Sequence, residues 1–206
     1  MTTITTLEAL RGHYDAARER SVLKELAQLD THAMRFIALA PMVVIASGGA
    51  GGAMDASPRG GDAGFVKVVD AHTLLIPDSP GNNRLDTLEN LLHAPQIGLL
   101  FLVPGVDETL RVNGSAVLSV DDADRARCTD ARRVPKLVIR VTVAASYLHC
   151  AKALMRSDLW NPARHIARAT LPSMGEMMRD QMADRVSPGT VFENQQQMLE
   201  RYRQTL

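Results

Sequence analysis

Apolar positions recur along this chain with two different periods, and the changes between them mark its elements. Over residues 7–29, Leu7, Leu10 and Tyr14 form one helical stripe and Leu23, Leu26 and Leu29 a second, so an interrupted helix is predicted. Asp30 can cap a short helix over 31–39 that turns Met34 and Ile37 inward, and Pro41 ends it. From residue 42 the period shortens. Residues 42–47 read as a buried strand, the glycine-rich 48–52 as a hairpin connection and 53–57 as the returning strand. The Ser-Pro-Arg-Gly-Gly-Asp stretch at 57–62 then reads as a loop.

Residues 64–70 predict a strand with Phe65, Lys67 and Val69 on one face and Val66 and Val68 on the other. After an Ala71-His72 turn, 73–76 pairs back, and 77–83 is a loop. A short helix is expected over 86–93 with Leu88, Leu91 and Leu92 inward, then an apolar strand at 97–103. A turn at 104–107 leads to a long strand over 109–120, with Gly114 as a bend or bulge. A short polar helix within 121–130, a last strand at 136–143 and a helix over 144–157 follow, the last with Tyr147, Ala151 and Leu154 on one side. Met174, Met177, Met178, Met182 and Met198 fall in two further helices divided by Ser187-Pro188-Gly189. About six hairpin-linked strands between terminal helices predict a mainly β fold with flanking helices (α+β), built as a small antiparallel barrel. The expected divisions, within one domain, are N-terminal helices over 1–40, a barrel core over 41–145 and C-terminal helices over 146–206 that pack on the barrel or on a partner subunit.

Composition narrows the function classes. Lys and Arg number 23, as do Asp and Glu, and aromatic residues make up 4% of the chain. Zero net charge without a stacking platform argues against a nucleic-acid binder. The longest apolar run, 37–46, is too short to span a membrane. The N-terminal residues show no basic region followed by an apolar core, so no signal peptide is expected, and a cytoplasmic protein is. Cys128 and Cys150 lack metal-ligand spacing, and the histidines are scattered, so no metal site is expected.

The chemistry concentrates between residues 55 and 114. Ser57, Arg59 and Gly60 offer a hydroxyl, a guanidinium and an unhindered backbone N–H, a set suited to phosphate. The same residues also fit a surface turn in which Arg59 pairs with Asp55 or Asp62. Gly81, Asn82, Asn83 and Arg84 precede a helix, whose N-terminus favours anions. Arg111 lies within a strand, opposite in face to Leu110 and Val112; it either lines a cavity or pairs with Glu108 at a rim. Lys67, also within a strand, has the same two readings. Lys152 and Arg156 are four apart on a predicted helix and share a face. His149 and Cys150 adjoin in that helix and so cannot act as a catalytic pair; Cys150 reads as a small buried residue. No catalytic acid or base stands out.

Taken in order, Ser-Pro-Arg-Gly, Gly-Phe-Val, Thr-Leu-Leu-Ile-Pro-Asp, Gly-Asn-Asn-Arg-Leu-Asp, Gly-Leu-Leu-Phe-Leu-Val-Pro-Gly, Glu-Thr-Leu-Arg-Val-Asn-Gly and His-Cys-Ala-Lys-Ala-Leu-Met-Arg-Ser-Asp-Leu-Trp resemble the pyridoxamine 5′-phosphate oxidase-type FMN-binding flavoproteins. The chain is most similar to the bacterial subfamily of mostly unassigned substrate, over about residues 20–185. The resemblance implies a six-stranded split β-barrel and a homodimer with FMN at the subunit interface. It implies that Ser57, Arg59, Asn82, Asn83 and Arg84, with Gly60, hold the phosphate and ribityl chain. Lys67 and Arg111 would sit nearer the isoalloxazine edge, and Lys152, Arg156, Ser157 and Trp160 would reach the partner's flavin. The implied activity is FMN-dependent oxidation or reduction of a small molecule. The alternatives on the same barrel are a flavin- or haem-binding sensor without turnover and a deazaflavin-dependent reductase. Gly61 stands where the subfamily carries Asp, and the C-terminal Arg-Tyr-Arg-Gln-Thr-Leu lacks the basic, histidine-containing segment of the true oxidases, so the vitamin B6 reaction is not expected.

Overall fold

Seven strands form from the alternating runs, in a computed structural model that describes residues 3–204. They are β1 (Met42–Gly48), β2 (Met54–Gly60), β3 (Lys67–Asp70), β4 (Thr73–Pro77), β5 (Gln96–Leu102), β6 (Thr109–Ser119) and β7 (Val138–His149). The helices are α1 (Leu7–Arg11), α2 (Glu19–Leu23), α3 (Thr31–Leu39), α4 (Asp86–His93), α5 (Asp122–Arg127), α6 (Lys152–Ser157), α7 (Met174–Met182) and α8 (Gln195–Arg203). The described chain divides into two compact units, with the break between Trp160 and Asn161.

The first unit is one antiparallel sheet in the order β2-β1-β5-β6-β7-β4-β3. This corrects the six-stranded split barrel. There are seven strands, and β2 and β3, neighbours in sequence, stand at opposite edges with no ladder between them among the described residues. The sheet is open, and the fold is a mixed α/β one. Segment 61–66 links the two edges instead of a hairpin, held to the end of α3 by hydrogen bonds from Gly61 N to Pro41 O (3.0 Å) and from Gly64 N to Ala40 O (3.2 Å).

One face of the sheet carries the core. Val43, Ile45, Leu99, Phe101, Leu110, Val112, Val141 and Ile139 are buried there, and α3 and α4 supply Ile37, Leu88 and Leu91. Asp30 caps α3 as its sequence position predicts, Oδ1 accepting from Ala33 N at 2.7 Å. The 48–52 turn returns β1 into β2 because Gly51 (φ 71°) and Gly52 (φ 82°) take left-handed backbone at no steric cost. α4 occupies the expected residues, but Leu92 is 75% exposed rather than inward.

Three further expectations are corrected. β2 runs on through Ser57-Pro58-Arg59-Gly60, which read as loop; Pro58 lacks a ladder donor, which an edge strand tolerates. β7 continues to His149, so 144–149 is strand and only Lys152 onward is helical. The predicted N-terminal helix is two short helices, α1 and α2, with no buried residue, whereas Leu29 beyond them is buried. The chain just before Leu29 pairs with β7, Leu26 N donating to Ser146 O at 3.0 Å and Ser146 N to Leu26 O at 2.8 Å.

The second unit contains α7 and α8, each opened by a reciprocal capping box, from Ser173 with Glu176 and from Asn194 with Gln197. The helices fall on either side of 187–189, as the sequence predicts. Gly175 lies against the Glu193 backbone, where no side chain fits. Among the described residues, no helix is long and apolar enough to cross a membrane.

Cys150 differs from its sequence reading as a buried residue. Cys150 is exposed, and Cys128 is buried with its thiol pushed up to about 11, chiefly by desolvation. A thiol reagent at pH 8 is expected to label one cysteine in the folded protein, identified by peptide mass as Cys150. Cys128 is expected to label only after denaturation. Prompt labelling of both would contradict this packing.

Candidate functional site

The strongest polar constellation lies where β2 meets the first turn of α4. Asp55, Ser57 and Arg59 alternate along β2 and point to one face, that of Ser47, Ile45 and Val43 on β1. α4 covers this edge with two different sides. Leu88 and Leu91 enter the core, while Thr87 and Asn90, three apart, meet the polar residues of β1 and β2. Arg59 Nη1 donates to Ser57 Oγ at 2.6 Å and to Pro58 O at 3.1 Å, and Arg59 Nη2 donates to Thr87 Oγ1 at 3.3 Å. Thr87 Oγ1 donates to Asp55 Oδ2 at 2.9 Å, and Asn90 Nδ2 to Ser47 Oγ at 3.0 Å. Arg59 therefore makes neither of the direct ion pairs weighed from the sequence; a threonine stands between it and Asp55.

The loop before α4 completes this cluster. Asn83 and Leu85 both have φ of 60°, a left-handed backbone that costs non-glycine residues energy and that functional loops retain. Arg84 N donates to Asn82 Oδ1 at 3.1 Å, and Arg84 Nε to Asp86 Oδ2 at 2.8 Å. Asp86, and more remotely Asp55, hold the Arg84 guanidinium above its ordinary pKa. Leu85 at the N-cap offers no side-chain acceptor, so the first N–H groups of α4 have no cap from it. Ser57, Arg59, Asn82, Asn83 and Arg84 thus gather at one end of one helix. Gly60 ends β2 beside them, with Gly60 paired to Met42.

The remaining candidates lie elsewhere. Arg111 is on the opposite face of the sheet, three strands from Pro58, or about 14 Å at ordinary strand spacing. Its Nη1 donates to the Tyr147 hydroxyl at 3.0 Å rather than pairing with Glu108. Lys24 Nζ also lies 5.5 Å from the Tyr147 ring centroid, so two cations flank one phenol. Lys67 stands on β3 at the far edge, its Nζ bonded to Gly64 O at 2.9 Å, in a groove of about 480 Å³ shared with Met34, Ala38 and Val68. Lys152, Arg156 and Ser157 are exposed on α6. Trp160 is anchored by Nε1 to Val106 O at 3.0 Å. Within one chain, then, Lys67, Arg111 and the α6 group are not brought to the α4 cluster.

Sequence reasoning missed Thr87 and Asn90, and read Asp55 only as a direct partner of Arg59. The signal was present in part: Asp55, Ser57 and Arg59 are spaced by two, the period of a strand face. It was hidden because Pro58 and Gly60 suggested a loop. Among the described residues, no group of three or more His, Cys, Asp or Glu is placed to hold a metal ion.

A family model described as pyridoxamine 5′-phosphate oxidase matches residues 29–150, more than half of the chain. The chain belongs to this family, which is associated with flavin binding. Solved structures are similar at low identity. HupZ of Group A Streptococcus is 16% identical over 58% of this chain and 93% of that one, with a TM-score of 0.49. General Stress Protein 26 from Bacillus anthracis is 11% identical over 57% and 94%, with a TM-score of 0.42. An FMN-binding protein from Syntrophomonas wolfei is 9% identical over 70% and 97%, with a TM-score of 0.44. No curated protein matches the chain.

Proposed function

We propose that this chain is an FMN-binding flavoprotein of the bacterial subfamily described above, working as an FMN-dependent oxidoreductase on a small molecule in the cytoplasm. The observation that carries the reading is the gathering of Ser57, Arg59 and Arg84 at the uncapped start of α4. The donor set fits a phosphate: two guanidiniums, a hydroxyl and helix N–H groups supply charge-assisted and directional bonds. Asp86 competes for Arg84, but that pair is exposed, with side chains 74% and 49% accessible, so exchanging one anion for another costs little. Asn82 and Asn83 border the ribityl chain in this reading, and Gly60 leaves its approach unhindered.

The flavin, when bound, supplies the electron or hydride transfer. This chain binds and orients it. Because Arg111 and Lys67 stand away from the α4 cluster within one protomer, their proposed place near the isoalloxazine edge belongs to a homodimer. Exposed Lys152, Arg156 and Ser157, with Trp160, are proposed to face the flavin of the second subunit. Support for a dimer comes from the sheet face opposite the core, where Met42 is 39% exposed and Val44, Leu100 and Leu102 are half-buried. A cation near the pyrimidine edge favours the anionic reduced ring, so Arg111 or Lys67 would raise the flavin's potential.

The test is the identity of the bound chromophore. The purified protein is expected to be yellow, to release FMN rather than riboflavin or a deazaflavin on denaturation, and to take up FMN with micromolar or better affinity. Reduced protein is expected to pass electrons to at least one small acceptor. Colourless protein that FMN does not saturate would sink the proposal, and slow reoxidation with every acceptor tried would leave a flavin carrier instead.

A further inference from the structure

The hydrogen-bond directions around Arg59 assign a role to two residues that have none so far. We infer that Asp55 and Thr87 are positioning residues, holding Arg59 and Ser57 in the geometry that receives the FMN phosphate. The inference rests on the phosphate reading given above.

Asp55, ionised, can only accept, whereas Thr87 has a single proton and lone pairs. Thr87 Oγ1 spends its proton on Asp55 Oδ2 at 2.9 Å. Its oxygen then has only acceptance to offer, and Arg59 Nη2 meets it at 3.3 Å. Arg59 Nη1 is committed to Ser57 Oγ at 2.6 Å and Pro58 O at 3.1 Å. Of the five guanidinium N–H groups, Nε–H and one on Nη2 stay uncommitted. Ser57 Oγ accepts from Arg59, so its own proton remains for another acceptor. The bonds thus run one way, from Arg59 through Thr87 to Asp55, and leave two N–H groups of Arg59 and the Ser57 hydroxyl proton uncommitted. A phosphate needs donors in that sense and rejects lone pairs.

The placement suits a support rather than a contact. Thr87 is 2% exposed, beneath the first turn of α4, and Asp55 is half-buried on β2. Without the threonine hydroxyl, Arg59 loses its only bond to α4. Without Asp55, the Thr87 hydroxyl is free to rotate and turn its proton towards Arg59.

The sign of the effect at Asp55 distinguishes this role from simple electrostatics. Removing a carboxylate near a phosphate site should tighten FMN if only charge matters. The positioning role predicts the reverse for Asp55→Ala, and no weakening for Asp55→Asn, whose amide oxygen still accepts from Thr87. FMN and riboflavin dissociation constants, measured side by side by flavin fluorescence quenching, report the phosphate's share. Asp55→Ala and Thr87→Val are each expected to weaken FMN by roughly tenfold and leave riboflavin unchanged. Thr87→Ser is expected to restore FMN binding to within about twofold.

If FMN and riboflavin weaken together, the two residues are structural and the inference is overturned. Tighter FMN binding by Asp55→Ala also overturns it, and that variant lies at a sheet edge, so it serves if Thr87→Val fails to fold. Arg59→Ala in the same assay separates this inference from its foundation. If Arg59→Ala loses the FMN preference while Asp55→Ala keeps it, only the positioning role falls. If Arg59→Ala keeps the preference, the phosphate site falls and the positioning role with it.

Discussion

Gly114→Ala is expected to cost about 3 kcal/mol of stability, whereas Gly98→Ala, on the neighbouring strand, is expected to cost less than about 1 kcal/mol. Both glycines lie in the sheet, Gly98 on β5 facing Asn113 and Gly114 on β6 facing Val143. Their surroundings differ. A Cβ on Gly114 collides with the carbonyl oxygen of Thr142, a backbone atom that cannot move without breaking the β6–β7 ladder. A Cβ on Gly98 meets Asn113 Oδ1 at 3.5 Å and Ala46 Cβ at 3.6 Å, ordinary contacts. Both substitutions gain the same intrinsic strand preference from losing glycine's freedom, so their difference isolates the steric term. Urea unfolding of the two variants measures it. Equal midpoints would mean that the close approach at Gly114 is absent.

The collision exists because the strands are bulged there, and the same bulge explains what the sequence concealed. Asn113 pairs with Ala145 but Gly114 with Val143, so Ala144 is left over on β7. Before the bulge the inward residues of β7 are Ile139, Val141 and Val143; after it the buried one is Ser146. The alternation changes phase in mid-strand. The continuing Ala-Ala-Ser-Tyr-Leu-His then fits no strand template and reads as helix. The kink was legible at Gly114, on the partner strand, while the extra residue was not.

The same division runs through the molecule. Signals carried within a few residues were readable: the Asp30 cap, the glycine hairpin at 48–52, the Ala71-His72 turn and the limits of α4. Facts that depend on distant pairing were not. Sequence neighbours usually pair, which made six strands closing on themselves the natural expectation. Here β2 and β3 are the exception and become the two free edges. The site follows this pattern as well. Its charged members stood out from their residue types, but Thr87 became visible only when α4 was laid against β2, because a buried threonine in a helix has no signature of its own.

Arg59→Ala is expected to weaken FMN binding by roughly 10- to 100-fold, the loss typical of a charge-assisted contact. Arg59 has two separable attachments, to the protein and to the proposed phosphate. Two of its protein bonds stay within β2 and the third, to Thr87, ties β2 to α4, so some stability is lost with it. Arg84 supplies the control. It is exposed, bonded only to the neighbouring Asp86 and the Asn82 side chain, and holds no elements together. Arg84→Ala is therefore expected to leave the urea midpoint unchanged and still weaken FMN several-fold. Arg59→Lys keeps the charge, yet one ammonium cannot span Ser57 and Thr87 as a planar fork does. An intermediate affinity with a steeper loss at high salt is expected for it, because what survives is chiefly screened Coulomb attraction. If Arg59→Lys binds FMN as wild type does, charge alone suffices. If Arg59→Ala unfolds more readily but neither it nor Arg84→Ala weakens FMN, the cluster at α4 is a structural tie and the phosphate lies elsewhere on this sheet.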